Sequence, residues 1–339
     1  MATLSKNNPT LADIAQMPEA KDNAEVINLL SISTPELTDA VVLPCNKGLF
    51  HETTVLVGLP SAVWGRMYKG IPTSKSARQT VKDTTGFLTA ASEIDTRLID
   101  DIQDALEKAN IREDEAKNHM ESMGQSAARS IWYSNQASDP DQITGFYPRF
   151  SDPTAENGKQ LVNGGGVGSD NSSMWFVTWD KGTCHLIYPK KGQGGLQRKN
   201  RGMIPATDGA GATYFVYRDE FVWHLGLTIR DWRYVVRICN IDVSELTIDG
   251  TAGANLINLM TEAYYRHYGR RVAKGRTYIY ATTTLVKYLD FQARNTPKNL
   301  FLRFDETGVN ASEVLKFRSI HIRETDALLD GTEAAVTGF

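Results

Sequence analysis

TTVLVGLPSAVWGRMYKGIPTSKSARQTVK, residues 53–82, carries Arg66, Lys69, Lys75, Arg78 and Lys82 and no acidic residue. Strand-like segments flank it at 49–57 and 81–91, and Gly58, Pro60, Gly65, Gly70 and Pro72 break its middle into turns. The pattern predicts a long hairpin arm. Ordering roughly 30 residues costs on the order of 30–60 kcal/mol of backbone entropy, and a lone two-stranded ribbon buries too little apolar surface to offset that. Something outside the arm must hold it.

The residues that follow have the opposite sign. Between 93 and 121 lie ten acids (Glu93, Asp95, Asp100, Asp101, Asp104, Glu107, Glu113, Asp114, Glu115, Glu121) and four bases (Arg97, Lys108, Arg112, Lys117). Taken by themselves, these residues leave two readings open. One is a solvated loop, the usual fate of a charge run. The other is an arm received by a neighbouring copy of the same chain, a head-to-tail contact that closes into rings or shells. In the second reading Arg66, Lys69, Lys75, Arg78 and Lys82 meet Asp104, Glu107, Glu113, Asp114 or Glu115 of the neighbour, and burial of Leu56, Leu59, Trp64 and Ile71 supplies the strength.

Composition sets the broad class. The 339 residues, 41% hydrophobic and 23% charged, suffice for a sizeable core in two domains or one elaborate one. A net charge of −3 and a pI near 6.1 argue against a protein devoted to wrapping nucleic acid, while leaving room for local basic patches. Cys45, Cys184 and Cys239 are widely spaced, which fits reduced thiols in a cytoplasm and neither a disulfide framework nor a zinc cage. Residues 1–20 lack a secretion-signal layout and no run approaches 18 apolar residues, so no membrane role is expected.

Along the chain, residues 1–45 read as an arm of short helices over 11–17, 24–30 and from 34 onward, capped by Thr10, Asn23 and Thr34. A helix is expected over 96–109, an interruption at Asn110, and the longest helix over 111–134, where Ala116, Met120, Met123, Ala127, Ile131 and Trp132 recur at steps of three and four. Residues 135–168 read as an irregular loop. Strands are expected at 175–179, 183–188, 214–217, 221–228 and 234–238, giving a mostly antiparallel sheet. From 253 onward the pattern is helix, a strand at 277–281, a helix at 283–293, and strands at 301–304 and 313–322.

No chemical constellation stands out. Gly164-Gly165-Gly166-Val167-Gly168 matches neither phosphate-loop spacing and reads as a turn. The six histidines never fall at ligand spacing, no Gly-x-Ser-x-Gly elbow is present, and Asp100-Asp101 read as a solvated helix face. Trp175, Trp179, Trp223 and Trp232 with Tyr214, Tyr217 and Tyr234, interleaved by Arg230, Arg233 and Arg237, admit a nucleic acid stacking reading. The stronger reading makes the aromatics core, with the arginines on the opposite face serving subunit contacts. No catalytic, cofactor or metal residues are assigned.

Several phrases together resemble the major capsid proteins of short-tailed, podovirus-like bacteriophages, which share the HK97-like shell fold. They are Leu56-Val57-Gly58-Leu59-Pro60 with Trp64, Trp132-Tyr133-Ser134-Asn135, the glycine run through Asn171, residues 226–238 (GLTIRDWRYVVRI), and Phe317-Arg318-Ser319-Ile320-His321-Ile322 with Asp326-Ala327-Leu328. The resemblance implies an α+β chain with an N-terminal arm (1–45), an extended loop (46–92), a peripheral domain on a spine helix (93–250), an axial domain (251–330) and a tail (331–339). The long strands precede the axial-looking elements, which implies a permuted topology. It also implies a non-enzymatic subunit of hexamers and pentamers in an icosahedral head around double-stranded DNA, bound without sequence readout. Portal, scaffolding and cement proteins would be further partners, the virion the location, and the host cytoplasm the place of assembly. Two rivals are a cytoplasmic α/β hydrolase with the hairpin as lid and an encapsulin-like protein cage.

Overall fold

The computed structural model describes residues 33–100, 105–192, 194–209, 211–251, 253–295, 302–305 and 314–339. In chain order the strands are β1 (Val42–Pro44), β2 (Phe50–Gly58), β3 (Ala77–Asp95), β4 (Leu161–Asn163), β5 (Asn171–Trp179), β6 (Cys184–Tyr188) and β7 (Leu196–Thr207). They continue with β8 (Thr213–Ile229), β9 (Val235–Asp242), β10 (Arg276–Ala281), β11 (Leu302–Asp305), β12 (Val314–Phe317) and β13 (Ile320–Glu324). The sheet runs β11-β12-β13-β10-β5-β6-β8-β3-β2, with β1 on β6, β7 on β8, and β9 joining β4 to β5. Pairing is mostly antiparallel, the exceptions being β1–β6, β4–β9, β5–β6 and β10–β13.

β5 is buried along its whole length, and strand alternation splits its side chains between two cores. Trp175, Val177 and Trp179 pack with Ala127, Ile131 and Trp132 of the long helix Ala105–Tyr133 and with Phe146. Met174 and Phe176 face the other way, toward Leu256 and Met260 of helix Leu256–Arg266 and Leu285 and Leu289 of helix Thr283–Asn295. Helices therefore cover both faces of this strand, and the chain is α+β as its sequence implies.

Several local expectations are corrected. The long helix passes through Asn110 without a break. An asparagine inside a helix costs under about 1 kcal/mol, which the burial of Ile111, Ala116 and Met123 outweighs. The segments expected at 214–217 and 221–228 form one strand, β8, because β3 and β7 pair with it continuously. The single strand expected over 313–322 is the hairpin β12–β13, turned at Arg318-Ser319 with Arg318 at φ 59. Within 135–168 a short helix, Phe146–Arg149, plants Phe146 and Phe150 in the core. β1, β4 and β7 went unread. At the N-terminus the helix expected from 34 onward is Pro35–Asp39, but the Thr34 side chain does not cap it; the helices expected at 11–17 and 24–30 lie outside the described residues.

The glycine run is a close approach, not only a turn. A Cβ on Gly164 would lie 2.6 Å from the Asn240 carbonyl oxygen, and one on Gly166 would lie 2.2 Å from Asn171 Oδ1. Beside it, Arg237 is fully buried in the chain's own core, which overturns its expected place at a subunit contact. Its guanidinium donates to Glu333 Oε2 (3.0 Å), the Phe150 carbonyl (2.7 Å) and Ser173 Oγ (3.1 Å), and lies 4.3 Å over the Tyr147 ring. Glu333, 2% exposed, also accepts from the Ser173 hydroxyl and from Tyr133 (2.5 Å). Sequence positions 133, 173, 237 and 333 thus meet at one buried charge pair.

Removing one member of such a pair leaves an uncompensated buried charge, at a cost of about 3–5 kcal/mol. Urea unfolding of the dissociated subunit should show that loss for Glu333→Ala and for Arg237→Met, and the double variant should lose clearly less than the sum. Small, additive losses are the result that contradicts this account.

Candidate intersubunit surface

The arm is an extension of the body's own sheet. The first half of β3 pairs with β2, from Ala77↔Gly58 to Thr84↔Phe50, and the second half pairs with β8, from Thr85↔Gly226 to Asp95↔Val216. One continuous strand therefore carries the arm out of the body. At the root, Asp83 is 5% exposed and accepts from Arg149 Nη1 (2.8 Å) and the Thr228 hydroxyl (2.5 Å). Arg149 also donates to the Thr144 and Leu227 carbonyls, so it joins the arm to the end of β8. Asn46 closes the base of β2, donating to the Glu52 carbonyl (2.7 Å) and accepting its N–H (2.8 Å).

Beyond Gly58 the arm has no helix or strand until Ala77. Its tip exposes large apolar side chains: Trp64 is 99% exposed, Met67 91% and Ile71 84%. An aromatic side chain left fully in water at a defined position marks an interaction site.

The structure separates the two sets of charges expected to meet. Arg66, Lys69, Lys75 and Arg78 are exposed and make no ion pair among the described residues. Lys82 sits opposite Glu52 in the hairpin register, with its ammonium 5.6 Å over the Phe50 ring. On the long helix, Glu113 pairs with Arg198 (2.6 Å), Asp114 with Lys117 (3.0 Å) and Glu115 with His119 (3.4 Å). Asp104 lies outside the described residues, as does the side chain of Glu107. Among the described residues, then, the arm cations and helix acids of one chain do not meet.

Two root residues went unread in the sequence. Asp83 is the first acid after the acid-free run, a signal that was available. Arg149 sits in a turn-rich stretch with nothing to mark it. Near the root, His51 and His185 meet edge to face, ring centroids 5.4 Å apart. Burial pushes the His185 imidazole down to about 4, with His51 and Arg230 adding to the shift. Burial also pushes His267 to about 4; its Nε2 lies 3.0 Å from both the Tyr234 carbonyl and the Thr178 hydroxyl.

An α+β body with a projecting hairpin and a long helix is the architecture of HK97-like shell subunits, and similarity to known proteins agrees. A chain in the near-atomic-resolution structure of bacteriophage Epsilon15 superposes with a TM-score of 0.78 at 32% identity, over 100% of each chain. The capsid of bacteriophage JBD30 matches in fold, with a TM-score of 0.52 at 13% identity over 94% of this chain and 99% of that one. No curated protein sequence matches. The family model for the major capsid protein GP7 matches residues 18–337, and the chain belongs to that family. It is a shell-forming structural protein of a bacteriophage virion, which favours neither the hydrolase nor the cargo cage.

The buried imidazoles make the subunit acid-sensitive. Their folded pKa values lie below the roughly 6.5 of an unfolded chain, so their stabilisation is complete above about pH 6.5 and is lost as the pH falls toward 4. Each imidazole is worth about 3 kcal/mol over that window. Glu36, whose carboxyl burial pushes up, works the other way at the acid end. The unfolding free energy of dissociated subunits should drop between pH 6.5 and 4.5, and His185→Phe should lessen that slope by about 1.4 kcal/mol per pH unit. An unchanged slope in the variant contradicts the assignment.

Proposed function

We propose that this chain builds the hexamers and pentamers of an icosahedral head around double-stranded DNA, each subunit laying its arm across the next. The carrying observation is the tip itself, where Trp64, Met67 and Ile71 stand in water at the end of an arm anchored firmly at its root. Burying such side chains against a neighbour supplies about 1.5–3 kcal/mol each, whereas an exposed ion pair supplies only about 0–1 kcal/mol. Apolar burial therefore provides the strength, and charge sets register and assembly rate.

In this reading the helix acids exchange weak pairs within the chain for the arm cations of a neighbour. Glu113, Asp114 and Glu115 sit in pairs open to solvent, where such an exchange costs little. Residues 1–45 form the N-terminal arm, 46–92 the extended loop, 93–250 the peripheral domain, 251–330 the axial domain and 331–339 the tail. Assembly takes place in the host cytoplasm, with portal, scaffolding and cement proteins as accessory partners, and the DNA is held without sequence readout.

The arm can be tested without disturbing the subunit fold, because its tip contributes nothing to either core. Arg66→Glu with Lys69→Glu should leave a soluble, folded subunit that forms no closed shells in electron micrographs. Trp64→Ala should raise the protein concentration needed for assembly by about tenfold or more. Normal shells from the charge-reversed chain contradict the electrostatic part of the proposal, and an unchanged threshold for Trp64→Ala contradicts the apolar part.

A further inference from the structure

Residues 266–276, RHYGRRVAKGR, hold Arg266, Arg270, Arg271, Lys274 and Arg276 and no acid. The fold sets this run beside two turns. Arg276 is in register with Trp179, and Gly275 (φ +58) approaches so closely that a Cβ would lie 2.2 Å from the Trp179 carbonyl oxygen. Arg230 reaches the same turn, donating to the Lys181 carbonyl (3.2 Å), and the Tyr234 hydroxyl donates to the Val272 carbonyl (3.1 Å). Segments 180–183, 230–234 and 268–276 therefore form one surface.

On that surface seven cations accompany two acids, Asp180 and Asp231, in a chain whose net charge is −3. Both acids are engaged locally: Asp180 accepts the Gly182 N–H (2.9 Å), and Asp231 pairs with Arg233 (2.8 Å). Arg270, Arg271, Lys274 and Arg276 are exposed and make no ion pair among the described residues. Aromatic rings support the cations from beneath. Arg233 lies 4.3 Å over Tyr268, Arg270 4.8 Å over Tyr265, and the Lys274 ammonium 5.6 Å over Tyr234. Asp231 holds the N–H edge of Arg233, whereas Arg270, stacked by its face, presents its N–H edge to an oxyanion with its side-chain entropy already partly spent.

We propose that this surface binds the phosphate backbone of double-stranded nucleic acid and is where the shell subunit meets its genome. The inference rests on the shell reading for the genome's presence, and it adds the residues that touch it. A duplex carries one negative charge per about 1.7 Å of axis, a density that suits cations clustered on three adjoining turns. The rival occupant is an acidic face of a second copy, yet in the assembly proposed above the acids at 113–115 are already taken by the arm cations of a neighbour. No helix or ribbon projects from these turns into a groove, so the contact is to backbone and independent of sequence.

The test measures binding of the full chain, as dissociated subunits, to a short labelled DNA duplex across a salt series. Arg270→Gln with Arg271→Gln and Lys274→Gln should reduce the slope of log affinity against log salt by about 2–3 and weaken all duplex sequences alike. The side chains are exposed, so the unfolding midpoint should not move, and shells should still form. An unchanged salt slope overturns the proposal; if shells are lost as well, the patch is a subunit contact. The arm variant Arg66→Glu with Lys69→Glu should lose shells and keep the native slope, so failure of assembly and failure of nucleic acid binding read out separately.

Discussion

β3 is hydrogen-bonded to two different partners along one strand, and that arrangement governs the molecule. Its body half is fixed by eleven register positions with β8, from Thr85 to Asp95, and its outer half can then template β2 at no further cost of anchoring. The entropy that a free ribbon could not offset is thereby met at the root by the body's own sheet, with Arg149, Asp83 and Thr228 as the tie. In the proposed assembly, only the tip between Gly58 and Ala77 is left for a neighbour to order. Two problems that looked like one in the sequence, holding the arm and covering its apolar end, have separate solutions.

The buried and the exposed charges do different work. Arg237 and Glu333, desolvated together, join the end of the chain to β5 and β9, and breaking them costs far more than their mutual attraction returns. Two groups of exposed cations, one on the arm and one on the 266–276 loop and its flanking turns, stand without a matching set of acids among the described residues. A chain slightly acidic overall can in this way present two strongly basic surfaces.

Much of this was legible in the sequence, for physical reasons that can be named. The arm strands, the long helix and the helices after 253 announce themselves because apolar residues recur at the right period on one face. β7 does not, because a strand at a sheet margin, wet on both sides, has no face to keep apolar; its Arg198, Lys199, Asn200 and Arg201 read as loop. The single β8 was divided in two because Arg218, Asp219 and Glu220 look like a turn, whereas Arg112 and Arg198 hold Asp219 from the helix and strand beside it. The arm cations could be seen as a run, but the basic patch is spread over three segments and exists only after folding.

β7 also bears on how the protein avoids the wrong assembly. It is a twelve-residue strand bonded on one side to β8 and, among the described residues, to nothing on the other. Such a margin would recruit stray strands from other copies at the concentrations in which shells form. Lys199 places charge along it, the irregularity between Asn200 and Gly202 bends it, and Pro205 removes a donor. In the proposed assembly, subunits that polymerise through one ribbon are by these means kept from fibre-like stacking through another.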